Sequence, residues 1–143
     1  GYTEDPVEYQ EVLDRLLRKT ETARTLVPKP VLMSKRGARA GIIAIGSSDG
    51  AVREALDTLQ KPMDYLRIRG FPFGPEVQKF IDAHEQIFVV EQNRDAQLRS
   101  LLTLELDVNK GKLISILHYD GSPIGSDHVL DGINDALKQV SAA

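Results

Sequence analysis

Gly41-Ile42-Ile43-Ala44-Ile45, followed at once by Gly46-Ser47-Ser48-Asp49-Gly50, is the stretch of sequence that decides the fold. A short, continuous apolar run is typical of a strand that is covered on both faces, as in a parallel sheet. The glycines, serines and aspartate that follow predict a turn into a helix. The stretch therefore predicts a buried strand that is joined directly to a helix.

The same alternation repeats downstream. Apolar runs predict further strands at residues 63–69, 87–90 and 113–118, and periodic apolar residues predict a helix after each strand. Asn93 is expected to cap the helix after residues 87–90, which should run to Asn109, and Ser126 or Asp127 to cap the last helix. Strands that alternate with single helices favour right-handed crossovers. We expect an α/β fold, an open, mostly parallel sheet of four to five strands with helices on both faces.

The upstream part of the chain has a different pattern. Asp5 and Pro6 are typical of a helix start, and apolar residues at three- and four-residue spacing extend that helix to about Leu26. Residues 27–39 contain two prolines and four basic residues and predict a solvated linker, in which residues 31–33 are a candidate short strand. We divide the chain into an N-terminal helix and linker, 1–39, and an α/β domain, 40–143.

Composition excludes several classes of function. The 143 residues carry 18 basic and 21 acidic side chains, so the net charge of −3 does not favour binding to nucleic acid or to an anionic membrane. The chain has no cysteine, which excludes disulfides and thiolate ligation of zinc or iron–sulfur clusters within it. No apolar run approaches the roughly 20 residues of a membrane span, and the N-terminal residues do not form a signal peptide. We expect a cytoplasmic protein.

Candidate site residues lie where the predicted strands end, because ligands of open parallel sheets gather at the carboxyl ends of the strands. Ser47 and Ser48 follow the first buried strand at a helix N-terminus and form either an anion site or a plain turn. Glu91, Gln92 and Asn93 end another strand. They either contact a ligand or have a local role, with Asn93 capping the helix and Glu91 pairing with a base such as Arg94.

Two arginines give a further candidate. Arg67 and Arg69 alternate with Leu66 and Ile68, so one face of this strand is apolar and the other is basic. The strand is either at a sheet edge, with solvated arginines, or its basic face meets an acidic partner or ligand. The three histidines have no metal-ligand spacing, and we predict neither a metal site nor a catalytic residue.

Six segments resemble the C-terminal part of the alpha subunit of 2-oxoglutarate-type 2-oxoacid:ferredoxin (acceptor) oxidoreductases. The run from Val89 to Leu98 and the turn Tyr119-Asp120-Gly121 are the most specific of them. The resemblance spans nearly the whole chain. The segments are Thr3-Glu4-Asp5-Pro6, Arg24-Thr25-Leu26-Val27-Pro28, Gly41-Ile42-Ile43-Ala44, Leu66-Arg67-Ile68-Arg69-Gly70-Phe71-Pro72-Phe73, Val89-Val90-Glu91-Gln92-Asn93-Arg94-Asp95-Ala96-Gln97-Leu98 and His118-Tyr119-Asp120-Gly121.

The resemblance implies a domain with the fold of the transketolase C-terminal domain. It implies a parent enzyme that converts a 2-oxoacid and coenzyme A to acyl-CoA and CO2, using thiamine diphosphate, Mg2+ and an iron–sulfur cluster and passing electrons to ferredoxin. The thiamine cofactor would lie between an upstream domain of the alpha subunit and the beta subunit, which are the implied partners. It also implies that the rim with Arg67, Arg69, Glu91, Gln92 and Asn93 faces other domains or lies near the coenzyme A path.

Three hypotheses of function follow. The first is a structural and assembly domain of the alpha subunit, inactive by itself. The second is a stand-alone anion- or nucleotide-binding module, with a preformed pocket at Ser47, Ser48 and Asn93. The third, a small enzyme, is disfavoured because no nucleophile and base can be paired.

Overall fold

The computed structural model describes residues 3–141, apart from the side chains of Val140 and Ser141. It contains five strands and five helices in these residues. The strands are β1 (Val31–Met33), β2 (Ala40–Ile45), β3 (Met63–Ile68), β4 (Gln86–Glu91) and β5 (Leu113–Leu117). The helices are α1 (Pro6–Leu26), α2 (Asp49–Thr58), α3 (Pro75–Asp82), α4 (Gln97–Glu105) and α5 (Ser126–Ser141).

The strands form one sheet in the order β1-β3-β2-β4-β5. β2, β3, β4 and β5 are parallel, and the short β1 pairs antiparallel with β3 at one edge. The candidate strand at residues 31–33 is therefore confirmed. The chain leaves β2 towards β3 and leaves β4 towards β5, in opposite directions along the sheet. This order creates a topological switch point at the carboxyl ends of β2 and β4.

Both faces of the sheet are covered, as the apolar run of β2 predicts. Ile42 and Phe88 belong to a core layer that packs beneath α2 and α5. Ile43 and Val89 point to the other face and pack with α3 and α4. All four side chains are completely buried. The two layers hold the central strands rigidly, and thereby fix the positions of the loops at the carboxyl ends of those strands.

Helix α4 is shorter than the sequence predicts. It ends at Glu105, and Leu106 is already extended, whereas periodicity carried the prediction to Asn109. The Gln78 side chain of α3 donates to the Asp107 carbonyl at 3.1 Å and accepts from the Asp107 amide at 3.2 Å. These two bonds hold the backbone away from the helical path, which is a tertiary effect that periodicity does not report.

Helix α1 starts as predicted. The Asp5 carboxylate accepts hydrogen bonds from the amides of Val7 at 2.8 Å and Glu8 at 3.3 Å, and Pro6 takes the first helical position. None of the 21 residues of α1, all of which the structure describes, is buried. The apolar stripe of this helix is therefore exposed, in contrast to those of α2 to α5.

The close approach of β2 and α3 depends on Gly41. A Cβ atom at Gly41 would lie 2.6 Å from Cζ of the Phe80 ring and 3.1 Å from Cδ1 of Ile87, both of which are packed in the core. We expect Gly41→Ala to lower the free energy of unfolding by about 1 to 3 kcal/mol, because the ring must shift in a dense core. Urea denaturation followed by circular dichroism measures the change.

The matched control is Gly50→Ala, the same substitution in the first turn of α2. A Cβ atom there meets nothing within 4 Å, so this variant should be neutral or more stable by up to about 1 kcal/mol. Equal effects of the two substitutions would show that steric contact with Phe80 does not constrain β2.

Candidate functional site

The switch point brings together the serines after β2 and the polar residues after β4. The Gln92 side-chain amide donates to Ser47 Oγ at 2.9 Å and to Ser48 Oγ at 3.3 Å. The Gln92 side-chain carbonyl accepts from the backbone amide of Ile124 at 3.3 Å. Gln92 thus joins three loops. Its side-chain amide takes the hydrogen-bonding position in which the two serine hydroxyls would bind an anion.

The turn at residues 46–48 has a defined geometry. Gly46 adopts φ +66°, a conformation that favours glycine, and residues 46–48 form a 3-10 turn that continues into α2. Ser48 is 2% exposed, whereas Ser47 lies in solvent. The two serines, for which the sequence leaves an anion site or a plain turn open, are brought together as hydrogen-bond acceptors of Gln92.

Asp49, the first residue of α2, is the centre of a polar cluster at the rim. Its carboxylate accepts from the Tyr65 hydroxyl at 2.9 Å and from Arg53 Nε at 3.0 Å. It also pairs with Arg67 Nη1 at 3.2 Å. Asp49 is not among the site residues that the sequence predicts. The Asp49 and Arg53 pair at i, i+4 was the signal in the sequence that pointed to this residue.

The charge state of this cluster follows from its contacts. Burial by itself raises the pKa of Asp49, but hydrogen bonds from Arg53 and Tyr65 and the charges of Arg53 and Arg67 outweigh burial and hold that pKa below its usual value. The pKa of Tyr65 is raised, first by burial and then by its hydrogen bond to the Asp49 carboxylate. The Asp49 carboxylate and the Tyr65 hydroxyl therefore lock each other in place at neutral pH.

The favoured interpretation of Arg67, a solvated arginine on an edge strand, is wrong. β3 lies between β1 and β2, and β1 takes the edge position. The acidic partner of Arg67 is Asp49 of the same chain. The Arg67 side chain is 37% exposed. Arg67 Nε is buried and has no hydrogen-bond partner among the described residues.

Arg69 has a different environment from Arg67. It follows β3 and is exposed, and its side chain forms no hydrogen bond or ion pair within residues 3–141. It borders a cavity of about 340 Å³ between the end of α1, the end of β3 and the start of α3. Arg24 and Lys29 also line this cavity, together with Glu76. Arg69 is therefore the predicted rim residue whose charge is available to a partner.

Glu91 caps helix α4 together with Asn93, the residue that the sequence predicts as the cap. Glu91 Oε2 accepts from the Leu98 amide at 2.6 Å, and Oε1 accepts from the Arg99 amide at 3.2 Å. The carboxylate is 2% exposed and lies at the end of β4. It therefore satisfies two of the free amides at the start of α4 and complements the positive end of the helix dipole.

Asn93 supports this arrangement. Its side-chain amide donates to Glu91 Oε2 at 2.7 Å, and its carbonyl accepts from the amides of Asp95 and Gln97, each at 3.1 Å. The predicted pair between Glu91 and Arg94 is wrong, because Arg94 pairs with Asp95 at 2.8 Å. Asn93 is turned towards α4, so the structure does not join it with Ser47 and Ser48 in a pocket.

The loop after β5 contains serine, histidine and aspartate within five residues. The Ser122 hydroxyl donates to Asp120 Oδ1 at 2.7 Å, and the pKa of Asp120 is lowered by the hydrogen bonds from the hydroxyl and amide of Ser122. His118 Nε2 lies 3.3 Å from Ser122 Oγ but also 2.9 Å from the Ser122 carbonyl. A carbonyl only accepts, so Nε2 carries a proton and is not a base for the Ser122 hydroxyl.

Residues 3–141 contain neither a cluster of metal-ligating side chains nor a membrane-spanning helix. No group of three or more histidine, aspartate or glutamate side chains in this range is arranged to hold a metal ion. In the same range, no helix is both long enough and apolar enough to cross a membrane.

The sequence matches no protein-family model and no curated protein. Its structure, however, is similar to 2-oxoglutarate:ferredoxin oxidoreductase from Magnetococcus marinus, solved with 2-oxoglutarate, coenzyme A and succinyl-CoA bound. The TM-score is 0.80 at 19% identity, over 93% of this chain and 24% of that chain. This chain thus spans about a quarter of the length of that protein.

Two other solved structures are similar. An inactive beta4 tetramer of a split-gene transketolase matches with a TM-score of 0.58 and 12% identity, over 77% of this chain and 42% of that chain. The alpha chain of the probable 2-oxoacid ferredoxin oxidoreductase from Thermoplasma acidophilum gives a TM-score of 0.48 and 25% identity, over 77% of this chain and 97% of that chain.

The similarities to the Magnetococcus marinus oxidoreductase and to the split-gene transketolase confirm the predicted fold. The chain has a transketolase-like α/β fold, with a five-stranded, mostly parallel sheet and a preceding helix. The same fold occupies a quarter of the Magnetococcus marinus oxidoreductase. These similarities do not assign roles to the site residues. A similar backbone at such low sequence identity does not imply that a side chain has the same function.

The Asp49 cluster should make stability depend on pH. We expect Asp49→Asn to lower the free energy of unfolding at pH 7 by about 1 to 2 kcal/mol, because three donors lose a charged acceptor. A folded-state pKa below the ordinary 3.8 means that the stabilisation is present above pH 3.8 and is lost as pH falls through the lower, folded-state pKa. The difference in the free energy of unfolding between the variant and the parent chain should therefore become smaller at acidic pH.

Denaturant titrations between pH 2.5 and pH 7 measure this dependence. The matched control is Asp57→Asn, which removes an exposed carboxylate from the same helix and should change stability by less than about 0.5 kcal/mol. If Asp49→Asn lowers the free energy of unfolding by the same amount at every pH in this range, the lowered pKa of Asp49 is contradicted.

Loss of the Glu91 cap should affect α4 first. We expect Glu91→Ala to lower the free energy of unfolding by about 3 kcal/mol, because two amides of α4 and the Asn93 side chain lose a buried, charged acceptor. Glu91→Gln retains one acceptor oxygen and should cost about half as much. Hydrogen exchange at Leu98 and Arg99 should accelerate before exchange in the central strands.

The exposed Glu54 of α2 provides the control, since Glu54→Gln should leave both stability and exchange unchanged. If Glu91→Ala leaves the exchange of the α4 amides as it is, Glu91 does not cap the helix.

Proposed function

We propose that this chain is a non-catalytic assembly domain of the alpha subunit of a 2-oxoacid:ferredoxin oxidoreductase. The observation that carries the proposal is the structural match over 93% of the chain to one quarter of the Magnetococcus marinus enzyme. It agrees with the sequence segments that resemble the C-terminal part of this alpha subunit. The parent enzyme would convert a 2-oxoacid and coenzyme A to acyl-CoA and CO2 and pass two electrons to ferredoxin.

We take 2-oxoglutarate as the substrate of the parent enzyme. The run Val89 to Leu98 and the turn Tyr119-Asp120-Gly121 resemble the 2-oxoglutarate type, and the similar solved structure is that of a 2-oxoglutarate enzyme. The thiamine diphosphate, Mg2+ and iron–sulfur cluster would be bound by other domains and by the beta subunit. A cluster needs thiolate ligands, and this chain has no cysteine. We place the complex in the cytoplasm.

The internal bonding of the rim supports a structural role. Ser47 and Ser48 accept from Gln92, and the carboxylates of Asp49 and Glu91 are satisfied by donors of the same chain. A ligand site needs polar groups that are free to exchange water for ligand. The rim groups instead fix loops and helix starts, which suits a surface that must keep its shape against another domain.

Arg69 is the rim residue that we propose to contact a neighbouring domain. It is exposed and unpaired within the described residues, and Phe71 beside it is 45% exposed. A free guanidinium next to an exposed aromatic ring is typical of an interface centre, where tryptophan, tyrosine and arginine are enriched. The opposite end of the sheet offers Lys61, also exposed and unpaired, as a comparison.

The test is reconstitution from separate polypeptides. This chain, the remaining alpha-subunit domains and the beta subunit are coexpressed, and the complex is isolated on a tag on the beta subunit. We expect this chain in the complex, and 2-oxoglutarate- and coenzyme A-dependent reduction of ferredoxin only when the chain is present. Absence of the chain from the complex, or turnover by the chain alone, would contradict the proposal.

Charge reversal tests the rim as the contact surface. Arg69→Glu should weaken incorporation into the complex by roughly tenfold or more, because it replaces an attraction at the interface by repulsion. Lys61→Glu carries the same charge change at the other end of the sheet and should have no effect. Equal incorporation of both variants would show that the carboxyl rim is not the contact surface.

A ligand titration tests whether the chain binds a small molecule in addition to its proposed role in assembly. Thermal unfolding of the chain should be unchanged by coenzyme A, by thiamine diphosphate with Mg2+, and by phosphate. Saturable stabilisation by coenzyme A that disappears in Arg67→Ala would assign a ligand site to the rim and overturn the purely structural role.

A further inference from the structure

The cavity between the end of α1, the end of β3 and the start of α3 has a basic lining. Its volume of about 340 Å³ falls in the lower part of the range of ligand pockets. Arg24, Lys29 and Arg69 line it. Glu76 adds one negative charge, so the lining carries a net charge of +2, whereas the whole chain carries −3. The cavity is therefore a local excess of positive charge that suits an acidic partner.

The walls of the cavity are apolar and fixed in place. Ile68 and Val77 line it and are 2% and 1% exposed. Val27 and Pro28 also line it and pack tightly against the end of β3. A Cβ atom at Gly70 would lie 3.2 Å from the Val27 Cβ and 3.4 Å from the Pro28 Cδ. Because these contacts hold the segment after α1 against the sheet, the cavity is formed before a partner arrives.

The three cations of the lining differ in their contacts. The Arg24 guanidinium donates to the Phe73 carbonyl through Nη1 and to Glu21 through Nε and Nη2, each of the latter at 3.2 Å. Lys29 Nζ lies 3.5 Å from Glu76 Oε1. The Arg69 side chain forms no hydrogen bond or ion pair within residues 3–141. Arg69 is therefore the cation of the lining that lacks a counter-ion in the described part of the chain.

The start of α3 does not offer a site for a free phosphate. The pKa of Glu76 is lowered, first by the hydrogen bond from its own backbone amide and then by Lys29, so a carboxylate of the chain already lies at the first turn of the helix. A phosphate would meet one unpaired guanidinium and the repulsion of this carboxylate. A single carboxylate needs less, because the planar Arg69 guanidinium can donate two parallel hydrogen bonds to it.

The surroundings of Arg69 favour a carboxylate that belongs to a protein. Phe71 is 45% exposed, and its ring packs edge-on against that of Phe73, with 5.3 Å between the centroids. An exposed ring beside an unpaired guanidinium is typical of the centre of a protein interface. The methylene stem of an acidic side chain can pack on the apolar wall at Val27 while its carboxylate meets Arg69.

We propose that this cavity receives an aspartate or glutamate side chain of the neighbouring domain, whose carboxylate accepts two parallel hydrogen bonds from Arg69. The inference rests on the proposed assembly role and adds the chemistry of the partner surface, which carries a projecting carboxylate opposite the carboxyl rim of this chain.

Titration of the 143-residue chain with N-acetyl-glutamate α-amide, followed by NMR, tests the cavity without any other subunit. We expect shifts at the Arg69 side-chain Nε–H and at the amides of Gly70 and Val77. They should saturate with a dissociation constant on the order of 1 mM, since one charged pair carries the contact. Arg69→Gln should abolish the shifts, and Lys61→Gln, the same change of charge at the other end of the sheet, should retain them.

Two further probes define the chemistry that is bound. N-acetyl-glutamine α-amide has nearly the same shape without the charge and should cause no shifts. Phosphate at the same ionic strength should cause much smaller shifts than the glutamate probe. Equal shifts with the glutamine probe, or shifts that persist in Arg69→Gln, overturn the proposal. Phosphate shifts as large as those of the glutamate probe would show a general anion site and overturn the assignment to a carboxylate.

Carbodiimide cross-linking of the reconstituted complex identifies the partner residue. This reagent joins an amine to a carboxylate that is in direct contact with it and does not react with arginine. Arg69→Lys keeps the positive charge and supplies the amine. We expect a cross-link from position 69 to an aspartate or glutamate of another polypeptide, located by mass spectrometry of the peptides. Lys61 is the control and should form no such cross-link.

The outcomes separate this inference from the proposed function. A complex that contains the Arg69→Lys variant without a cross-link from position 69 overturns the inference and leaves the assembly role intact. Failure of the parent chain to enter the complex contradicts the assembly role instead. The titration with the glutamate probe then still decides whether the cavity binds a carboxylate.

Discussion

The fold depends on one constraint, that both faces of β2 must be covered. Ile42, Ile43 and Ala44 are completely buried, so neighbouring residues of β2 that point to opposite faces are equally inaccessible to water. A sheet that contains such a strand cannot leave one face in solvent. Single-helix crossovers supply a helix for each face in turn, and the right-handed crossover fixes the order of the strands. The carboxyl rim and its switch point are consequences of that order.

The rim places the chain's own carboxylates at two helix starts. α2 begins with Asp49, whose carboxylate is held by Tyr65, Arg53 and Arg67, and the amides of Leu98 and Arg99 in α4 bind Glu91 at the end of β4. In many proteins of this architecture, such helix N-termini bind ligand anions. Here the chain places its own carboxylates there. The rim is consequently rigid and internally neutralised, with Arg69 as its available cation within the described residues.

Helix α1 differs from the rest of the molecule in what it exposes. The α/β domain buries its large aromatic and aliphatic side chains in two layers, whereas α1 leaves Leu13, Leu16 and Leu17 in solvent. The described residues therefore cover the apolar side chains of the domain but not those of α1.

The sequence by itself determined the elements and the class of fold. Continuous apolar runs at β2 and β4, the Asp5 and Pro6 helix start and the glycine and proline turns depend on neighbouring residues, so local rules suffice to predict them. They also located the rim, because the carboxyl ends of parallel strands lie at one edge of the sheet. The sequence places Ser47, Ser48, Gln92 and Asn93 at that edge, and the structure joins the two serines to Gln92 rather than to Asn93.

Only the tertiary structure decided which rim groups bind to one another. Glu91 reaches amides seven and eight residues away, Arg67 meets Asp49 on a neighbouring connection, and Gln78 ends α4 from another helix. The edge position of β3 was predicted wrongly for the same reason, since β1 joins the sheet from more than thirty residues upstream. Periodicity describes which face of an element is apolar, but the choice of partner depends on packing between elements that are distant in sequence.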